Sequence, residues 1–444
     1  MPYNPSLPAT PVDVLQISSF YRRMRLRLAL LAARAFKFWD RPLKHAINAA
    51  EHMRLRDAYY WVYKSKIPLT ASEAGVKDAL SGTCTPLAAP DGFIPEATLS
   101  FAAAGDLLWS DALEYSRDLL FRNISDLLFN SDICYANFET PVTQQPLEKE
   151  VIGDKGPPKE CCSLEQFDIL KGHRARSFNV LNIANNHIFD MGIEGLYTTI
   201  ETLSKQGIFP LGVNQMPSDA GKANVLDVNG LKIGFIAATF GLNGRPVPPE
   251  YMHKINIAKG LACENDRDLH VIHTQIEDCR RQSCDFIIAS LHWGYEFEFF
   301  PRKWQVDLAH TIIEWGADAI IGHHPHVIQP IERYQTLRDP KRIAPIAYSL
   351  GSLTWNFTAP HLALSAVLKM HLSKGTIGGE NRTYVTQLEA FPVFRSHAYW
   401  TGKPVTQIRK LSDHQGSNAE RHPPEYLREM KRYAKLVLGT YGAC

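Results

Sequence analysis

The sequence reads as an α/β protein, a layered sandwich of sheets covered by helices, and three observations carry that expectation. Short apolar runs recur from Thr98 onward, each bounded by polar or glycine-rich loops. Helical stretches such as 193–206 and 303–315 lie between them, and strands that alternate with helices imply sheets covered on their faces. The stretch 345–395 carries few helix signals, so part of the sheet is expected to be antiparallel. A chain of 444 residues with 45% hydrophobic content is long enough for two or three domains, which excludes disorder throughout.

Residues 1–66 hold Lys and Arg well in excess of acids and are expected to form a basic helical region, with helices at about 13–39 and 43–64 parted near Pro42. Within it Arg22, Arg23, Arg25 and Arg27 precede an apolar run, Leu28 to Ala33, that Arg34 and Lys37 interrupt. The run is too short for the roughly 7–15 apolar residues of a secretory signal or the roughly 18–20 of a membrane span. It reads as a basic amphipathic helix that either rests on a membrane surface or docks on its own core. Docking is the favoured reading, because Phe36, Phe38 and Trp39 need burial.

Residues 67–97, with Pro68, Gly75, Gly82, Pro86, Pro90, Gly92 and Pro95, read as a connecting segment. The main domain is expected over 98–400, with strands in LSFAAAGD, DICYANFE, NVLNIANNH, KIGFIAAT, DFIIASLHWG, AIIGHHPHV and IAYSLGS. A C-terminal part, 401–444, is expected to hold a polar tail from Asp413 to Arg421 and a helix at about 425–438 after Pro423 and Pro424.

Forty-eight Lys and Arg against 46 Asp and Glu leave a formal charge of +2, so nucleic acid is not an expected partner. Eight cysteines without any C-x-x-C spacing fit reduced thiols rather than a disulfide scaffold or a zinc ribbon. Cytoplasmic residence follows as an expectation, with membrane association through the basic helix as its variant.

The chemistry lies where the apolar runs end. Asp106 follows LSFAAAG; Asn137 and Glu139 follow DICYA; Asn185, Asn186, His187 and Asp190 follow NVLNIA; His292 and Glu296 follow DFIIASL; His323, His324 and His326 follow AIIG. Carboxyl ends of strands in an open α/β sheet face a common crevice, so these residues are expected to converge. Carboxylate, amide and imidazole donors suit divalent Mn, Fe or Zn, and so large a set serves one or two ions. Two ions need a bridging carboxylate, and Glu139 is the choice; His187 would stand beside the bound group as general acid or transition-state donor. Taken singly, Asp106 reads as a turn or cap residue and His292 as a structural histidine; the density of GHHPH is what packing does not explain. Lys155, Lys159, Arg245 and Arg302 are secondary candidates for holding an anionic substrate, and for each the solvated surface charge is the favoured reading. Trp293, Tyr295, Phe297 and Phe299 alternate with polar residues, as pocket walls or as the apolar face of a strand.

These motifs resemble those of the CapA/PgsA-type capsule synthesis proteins, which are associated with poly-γ-glutamate and built on the calcineurin-like metallophosphoesterase fold. The resemblance runs from about Thr98 to Phe357 and rests on AGD at 104–106, NFETP at 137–141, ANNHIFDMG at 184–192, LHWGYE at 291–296, GADAIIGHHPHVIQ at 316–329 and YSLGS at 348–352. It implies a four-layer αββα sandwich, here with an added N-terminal helical region. It places metal ligands at Asp106, Glu139, Asn186, His292, His324 and His326 and a catalytic histidine at His187; beside these, Asp190 is expected as a second catalytic residue and Asn137, Asn185, Glu296 and Arg245 as substrate contacts. Leu108 stands where the wider superfamily has a ligand histidine, so one ion position is weakened. Ser352 replaces the usual Asn of the YSLGN motif, and His323 is an extra histidine, either a ligand or ligand partner or plain loop structure.

Three functions are open to such a chain. The first is a metal-dependent hydrolase or transferase acting on a phosphoryl or a γ-glutamyl or other amide-linked small molecule. The second is an assembly factor that binds a glutamyl polymer, and the third is a cytosolic tailoring protein of small-molecule or peptide biosynthesis.

Overall fold

The computed structural model describes residues 7–81, 87–110, 113–145, 153, 157–262, 268–413 and 422–439. Among them the strands are β1 Ile94–Leu107, β2 Ile133–Phe138, the short pair β3 Gly172–His173 and β4 Arg176–Ser177, β5 Val180–Asn182, β6 Phe209–Leu211, β7 Asn224–Val228, β8 Leu231–Thr239, β9 Phe286–His292, β10 Ala319–His323, β11 Ile331–Gln335, β12 Ile343–Ala347, β13 Ser352–Thr354, β14 Leu364–Ile377, β15 Glu380–Trp400 and β16 Lys403–Lys410. They form two large sheets. One runs β16-β15-β14-β1-β2-β5-β6 with β13 alongside β1, and the other runs β11-β12-β10-β9-β8-β7.

In the first sheet β1, β2, β5 and β6 are parallel, whereas β14, β15 and β16 add an antiparallel half. The expected antiparallel stretch is thus the β14–β15 hairpin, closed by Gly378 and Gly379, both at positive φ, as a tight two-residue hairpin turn requires. In the second sheet β8, β9, β10 and β12 are parallel. Strands buried on both faces explain why each run reads as continuously apolar.

Side-chain alternation sets the layers. Phe101, Ala103, Tyr135 and Val180 of the first sheet join the core shared with β8, β9 and β10. Their neighbours Ala102, Ala104, Cys134, Ala136 and Leu181 face outward to Leu128, Phe167, Leu196 and Leu203 of the helices Ser125–Phe129, Leu164–Leu170 and Gly192–Lys205. Ile272, Ile276, Val306 and Ile313, from the helices His270–Arg281 and Lys303–Trp315, cover the other sheet. The result is the αββα sandwich that the resemblance implied. The described cysteines Cys134, Cys161, Cys162, Cys279 and Cys284 are free thiols.

The flanks differ from expectation in four places. β1 begins at Ile94, inside the stretch read as a connection, and β16 extends the sheet past residue 400 to Lys410; the helix Pro424–Leu438 follows, while 414–421 of the polar tail lie outside the described residues. The N-terminal helices are Phe20–Ala35 and Leu55–Lys66, shorter than the spans 13–39 and 43–64. Residues 43–54 carry only a single 3-10 turn, Ala50–His52, because their backbone carbonyls are drawn to the main domain: Arg302 donates to Leu43 O at 3.1 Å and Tyr295 OH to Ala46 O at 2.7 Å. Finally, Phe36 and Phe38 are not buried. They stack on each other at 5.5 Å in solvent, and only Trp39 is half-buried, edge-on to Tyr60 and Tyr63.

Candidate metal centre

Register alone brings the strand-end residues together. Asp106 pairs with Asn137 across β1 and β2, Asn137 with Asn182 across β2 and β5, and His292 with His323 across β9 and β10. The two rows face each other at the carboxyl rim of the sandwich. The approach of the chain at Asp106 is tight: a Cβ on Gly105 would lie 1.8 Å from Gly351 O, so this position admits only glycine. His324 and His326 flank Pro325 at φ 96 and 58, a left-handed backbone that bulky residues rarely adopt and that turns both rings toward the rim.

Asp106 and Glu139 are fully buried acids at the centre. Asp106 Oδ1 accepts from Asn137 Nδ2 at 2.9 Å and lies 3.0 Å from His323 Nδ1, while its Oδ2 is 3.2 Å from His326 Nδ1. Glu139 Oε2 accepts from the same Asn137 amide at 3.2 Å, and Oε1 lies 3.4 Å from His292 Nε2 and 3.8 Å from His326 Nε2. Two sets of three donor groups, each with ligand atoms within 4.8 Å of one another, occur here: Glu139, His292 and His324, and Asp106, Glu139 and His326. Glu139 belongs to both.

The electrostatics is that of a site made for positive charge. Burial alone would raise the Asp106 carboxyl, but hydrogen bonds from His323 and His326 outweigh it and hold the group ionised far below the usual carboxylate range. Burial, then the Asp106 charge, pushes Glu139 up to about 8. Burial keeps His292 and His324 well below the ordinary imidazole value, so their rings are neutral with a lone pair to give. Glu139 Oε1, Asn186 Oδ1, His292 Nε2 and His324 Nδ1 are buried atoms without a hydrogen-bond partner, a cost that a divalent cation removes. The donors are oxygen and imidazole nitrogen, which fits Mn, Fe or Zn.

His187 stands beside the centre. Its Nδ1 is 2.6 Å from Asp190 Oδ2, and Asp190 is itself pinned by Arg245 Nε at 3.0 Å and by Glu160 N–H at 2.8 Å. Burial would lower the His187 pKa, but the Asp190 charge and hydrogen bond outweigh it and raise it to about 9. Asp190 therefore orients His187 and holds its proton.

The other expected residues fall into different places. Asn137 and Asn185 are buried with their amides committed within the protein: Asn137 Oδ1 accepts from Asn182 at 2.9 Å, and Asn185 Nδ2 donates to Phe138 O at 2.8 Å. These bonds hold the strand ends that carry the carboxylates in place. Asn186 Nδ2 donates to Asn243 Oδ1 at 3.1 Å. Glu296 Oε1 is 4.0 Å from His326 Nε2, and Oε2 accepts from the indole of Trp61. His323 is a strand-end residue with both ring nitrogens occupied, Nδ1 by Asp106 and Nε2 by Tyr135 OH at 2.8 Å, so it supports a carboxylate and leaves the cation to others. Leu108 is buried in the apolar core and supplies no donor.

Ser352 Oγ lies 2.9 Å from His326 Nδ1 and so orients that ring. Arg302 is not an anion holder: it is buried against Glu298 and Glu73. Lys159 is half-buried, and Lys155 lies outside the described residues. The segment from Trp293 to Phe299 forms no strand; Trp293 Nε1 donates to Tyr348 O, and Phe297 stacks on Trp355.

Four contributors escaped the sequence reading. Asn182 and Asn243 end or follow the apolar runs of β5 and β8, so the strand-end rule applied to every run would have found them. Tyr135 sits inside β2 and Asn48 in the N-terminal region, with no local signal. Asn48 Nδ2 lies 2.7 Å from His324 Nε2 and donates to Gly294 O at 2.9 Å. A cleft of about 1590 Å³ opens between this segment and the loop after β8, lined by Asn48, Phe240, Arg245 and Tyr295 among others.

Fold and site together define a two-sheet αββα protein with a carboxylate and histidine centre at the carboxyl rim. The chain belongs to the bacterial capsule synthesis protein family: residues 100–356 match the description "Bacterial capsule synthesis protein PGA_cap". It is 29% identical over 300 residues to the PGA biosynthesis protein CapA of Bacillus subtilis, covering 66% of this chain and 73% of that one. It is 28% identical over 279 residues to the capsule biosynthesis protein CapA of Bacillus anthracis, covering 62% and 64%. A probable polyglutamine synthesis accessory protein of Mycobacterium tuberculosis is 27% identical over 227 residues, 50% of this chain and 55% of that one. The crystal structure of the calcineurin-like phosphoesterase YfkN from Bacillus subtilis aligns with 76% of this chain and 96% of its own, at 14% identity and a TM-score of 0.34.

Proposed function

We propose that the chain is a metal-dependent hydrolase or transferase acting on a phosphoryl or a γ-glutamyl or other amide-linked substrate. The observation that carries the reading is Glu139, a fully buried carboxylate common to both donor sets, with an oxygen that no protein group satisfies. Asp106, Glu139, Asn186, His292, His324 and His326 would hold one or two ions of Mn, Fe or Zn. A divalent cation held there supplies Lewis acidity to the electrophilic centre and makes water a better nucleophile.

The chain's own groups do the rest. His187, charged at neutral pH, donates a proton or a hydrogen bond to the oxygen or nitrogen that gains electron density. Asp190 keeps it in that state. The cleft beside Asn48 and Phe240 admits the substrate, and Arg245 lines its wall while anchoring Asp190.

A second reading, a factor in the biosynthesis or assembly of poly-γ-glutamate, has its support in the names of the two Bacillus relatives and the mycobacterial one. The two readings part in one experiment. The purified protein is assayed for bound metal, then for turnover of an aryl phosphate and a γ-glutamyl anilide with manganese added. The enzyme reading expects Glu139→Ala to lose metal and turnover, and His187→Ala to keep metal and lose about 10²–10⁴-fold in rate. Equal metal loss in both variants overturns the division of roles. Metal-loaded protein that turns over neither substrate but binds glutamyl chains favours the assembly reading.

A further inference from the structure

The helix Phe20–Ala35 meets the rest of the protein along one edge only. Leu26 and Ala33, close together on the helical wheel, are its buried residues, and the helix Leu55–Lys66 is among the elements it contacts. At about 100° per residue, Phe20, Tyr21, Met24, Leu28 and Leu31 fall in a single sector of about 100° on the opposite side. All five are exposed, Phe20 at 64%, Leu28 at 58% and Leu31 at 65%. Just past the helix end the stacked pair Phe36 and Phe38 adds exposed apolar surface, at 70% and 63% exposure. Arg23, Arg27 and Arg34 project along one border of the sector, and Arg25 along the other. The helix contains no acidic residue.

We infer that this face is an interaction surface for an anionic lipid bilayer, on which the helix lies parallel to the membrane plane. An apolar sector rimmed on both borders by arginines matches a headgroup layer of negative charge above acyl chains, and Phe and Tyr suit the interface depth. A second copy of the chain fits poorly, because it would set arginine borders against arginine borders with no acid on either helix. Among the described residues no helix is long and apolar enough to cross a membrane, so the contact is peripheral. The inference does not depend on the catalytic reading, since none of these residues touches the centre.

The test is co-sedimentation of the full chain with vesicles of equal parts phosphatidylglycerol and phosphatidylcholine, and with vesicles of phosphatidylcholine alone. The chain is expected to pellet with the anionic vesicles and to remain in solution with the neutral ones. Leu28→Asp with Leu31→Asp, at exposed positions where the thermal midpoint stays unchanged, lowers partition at least tenfold. Arg23→Gln with Arg27→Gln and Arg34→Gln lowers it to the level seen in high salt. No partition at low salt, or partition retained in the double Asp variant, overturns the inference. So does a dimer in sizing experiments that the double Asp variant dissolves, which would assign the face to a second copy.

Discussion

Asn48 reaches the centre from outside residues 100–356, the stretch that defines the family. Its amide meets one ring nitrogen of His324 and so sets how that ring presents its other nitrogen to a cation. Groups of this kind behind a ligand change metal affinity by about 10–100-fold. Asn48→Ala is therefore expected to weaken manganese binding by about tenfold, read by calorimetric titration of the stripped protein, with little change in thermal midpoint. Unchanged affinity would remove Asn48 from the account. The difference between what was legible and what was not is clear from such residues. Asp106, Glu139, His292 and His324 could be named in advance because each directly follows an apolar run, where a polar group needs a reason to be. Tyr135 could not, because its hydroxyl contact with His323 depends on the facing of two sheets. Asn48 could not, because nothing local distinguishes it from a solvated amide.

The N-terminal elements are bound to the sandwich by charge as much as by apolar packing. Lys64 lies 3.1 Å from Glu298, which also receives Tyr60 OH at 3.0 Å and Arg302 Nε at 2.7 Å, all buried. A network of this kind is costly to break from one side, which is why residues 43–54 follow the surface of the main domain instead of extending the helix backward. The helix Leu55–Lys66 then begins where Asp57 accepts from Arg54 N–H at 3.2 Å. At its other end His361 Nε2 is 3.2 Å from Ser65 O. Burial holds His361 down to about 4, below the ordinary 6.5, so the folded protein requires the neutral ring. The unfolded chain takes up the proton first as pH falls. The stabilising contribution is thus full above 6.5 and is lost as pH drops from 6.5 toward 4. Between pH 7 and 5 the loss amounts to roughly 2 kcal/mol. His361→Gln should flatten the fall in urea stability over that interval. A residual slope is expected, because His397, held down to about 3 chiefly by burial, acts in the same sense; an unaltered slope would show that His361 is not responsible.

Parallel strands from two sheets end at one rim, and that arrangement gathers donors spread from Asp106 to His326. The alternation of apolar runs and helices made the sandwich readable, as did the sparse helix signals before the long hairpin. Pairing was not readable: the adjacency of Asp106 with Asn137, or the addition of β16 beyond residue 400, follows from which faces pack together across the whole chain. The exposure of Phe36 and Phe38 was not readable for the same reason, since aromatic side chains argue for burial but do not say where. Everything functional rests on the gathering of the donors around positive charge. The most direct measurement is anomalous diffraction at the manganese edge from crystals soaked in the metal. Density is expected enclosed by Glu139, His292 and His324, by Asp106, Glu139 and His326, or by both sets, and is expected to be lost in Glu139→Ala. A well-diffracting soaked crystal with no peak among these residues would contradict it.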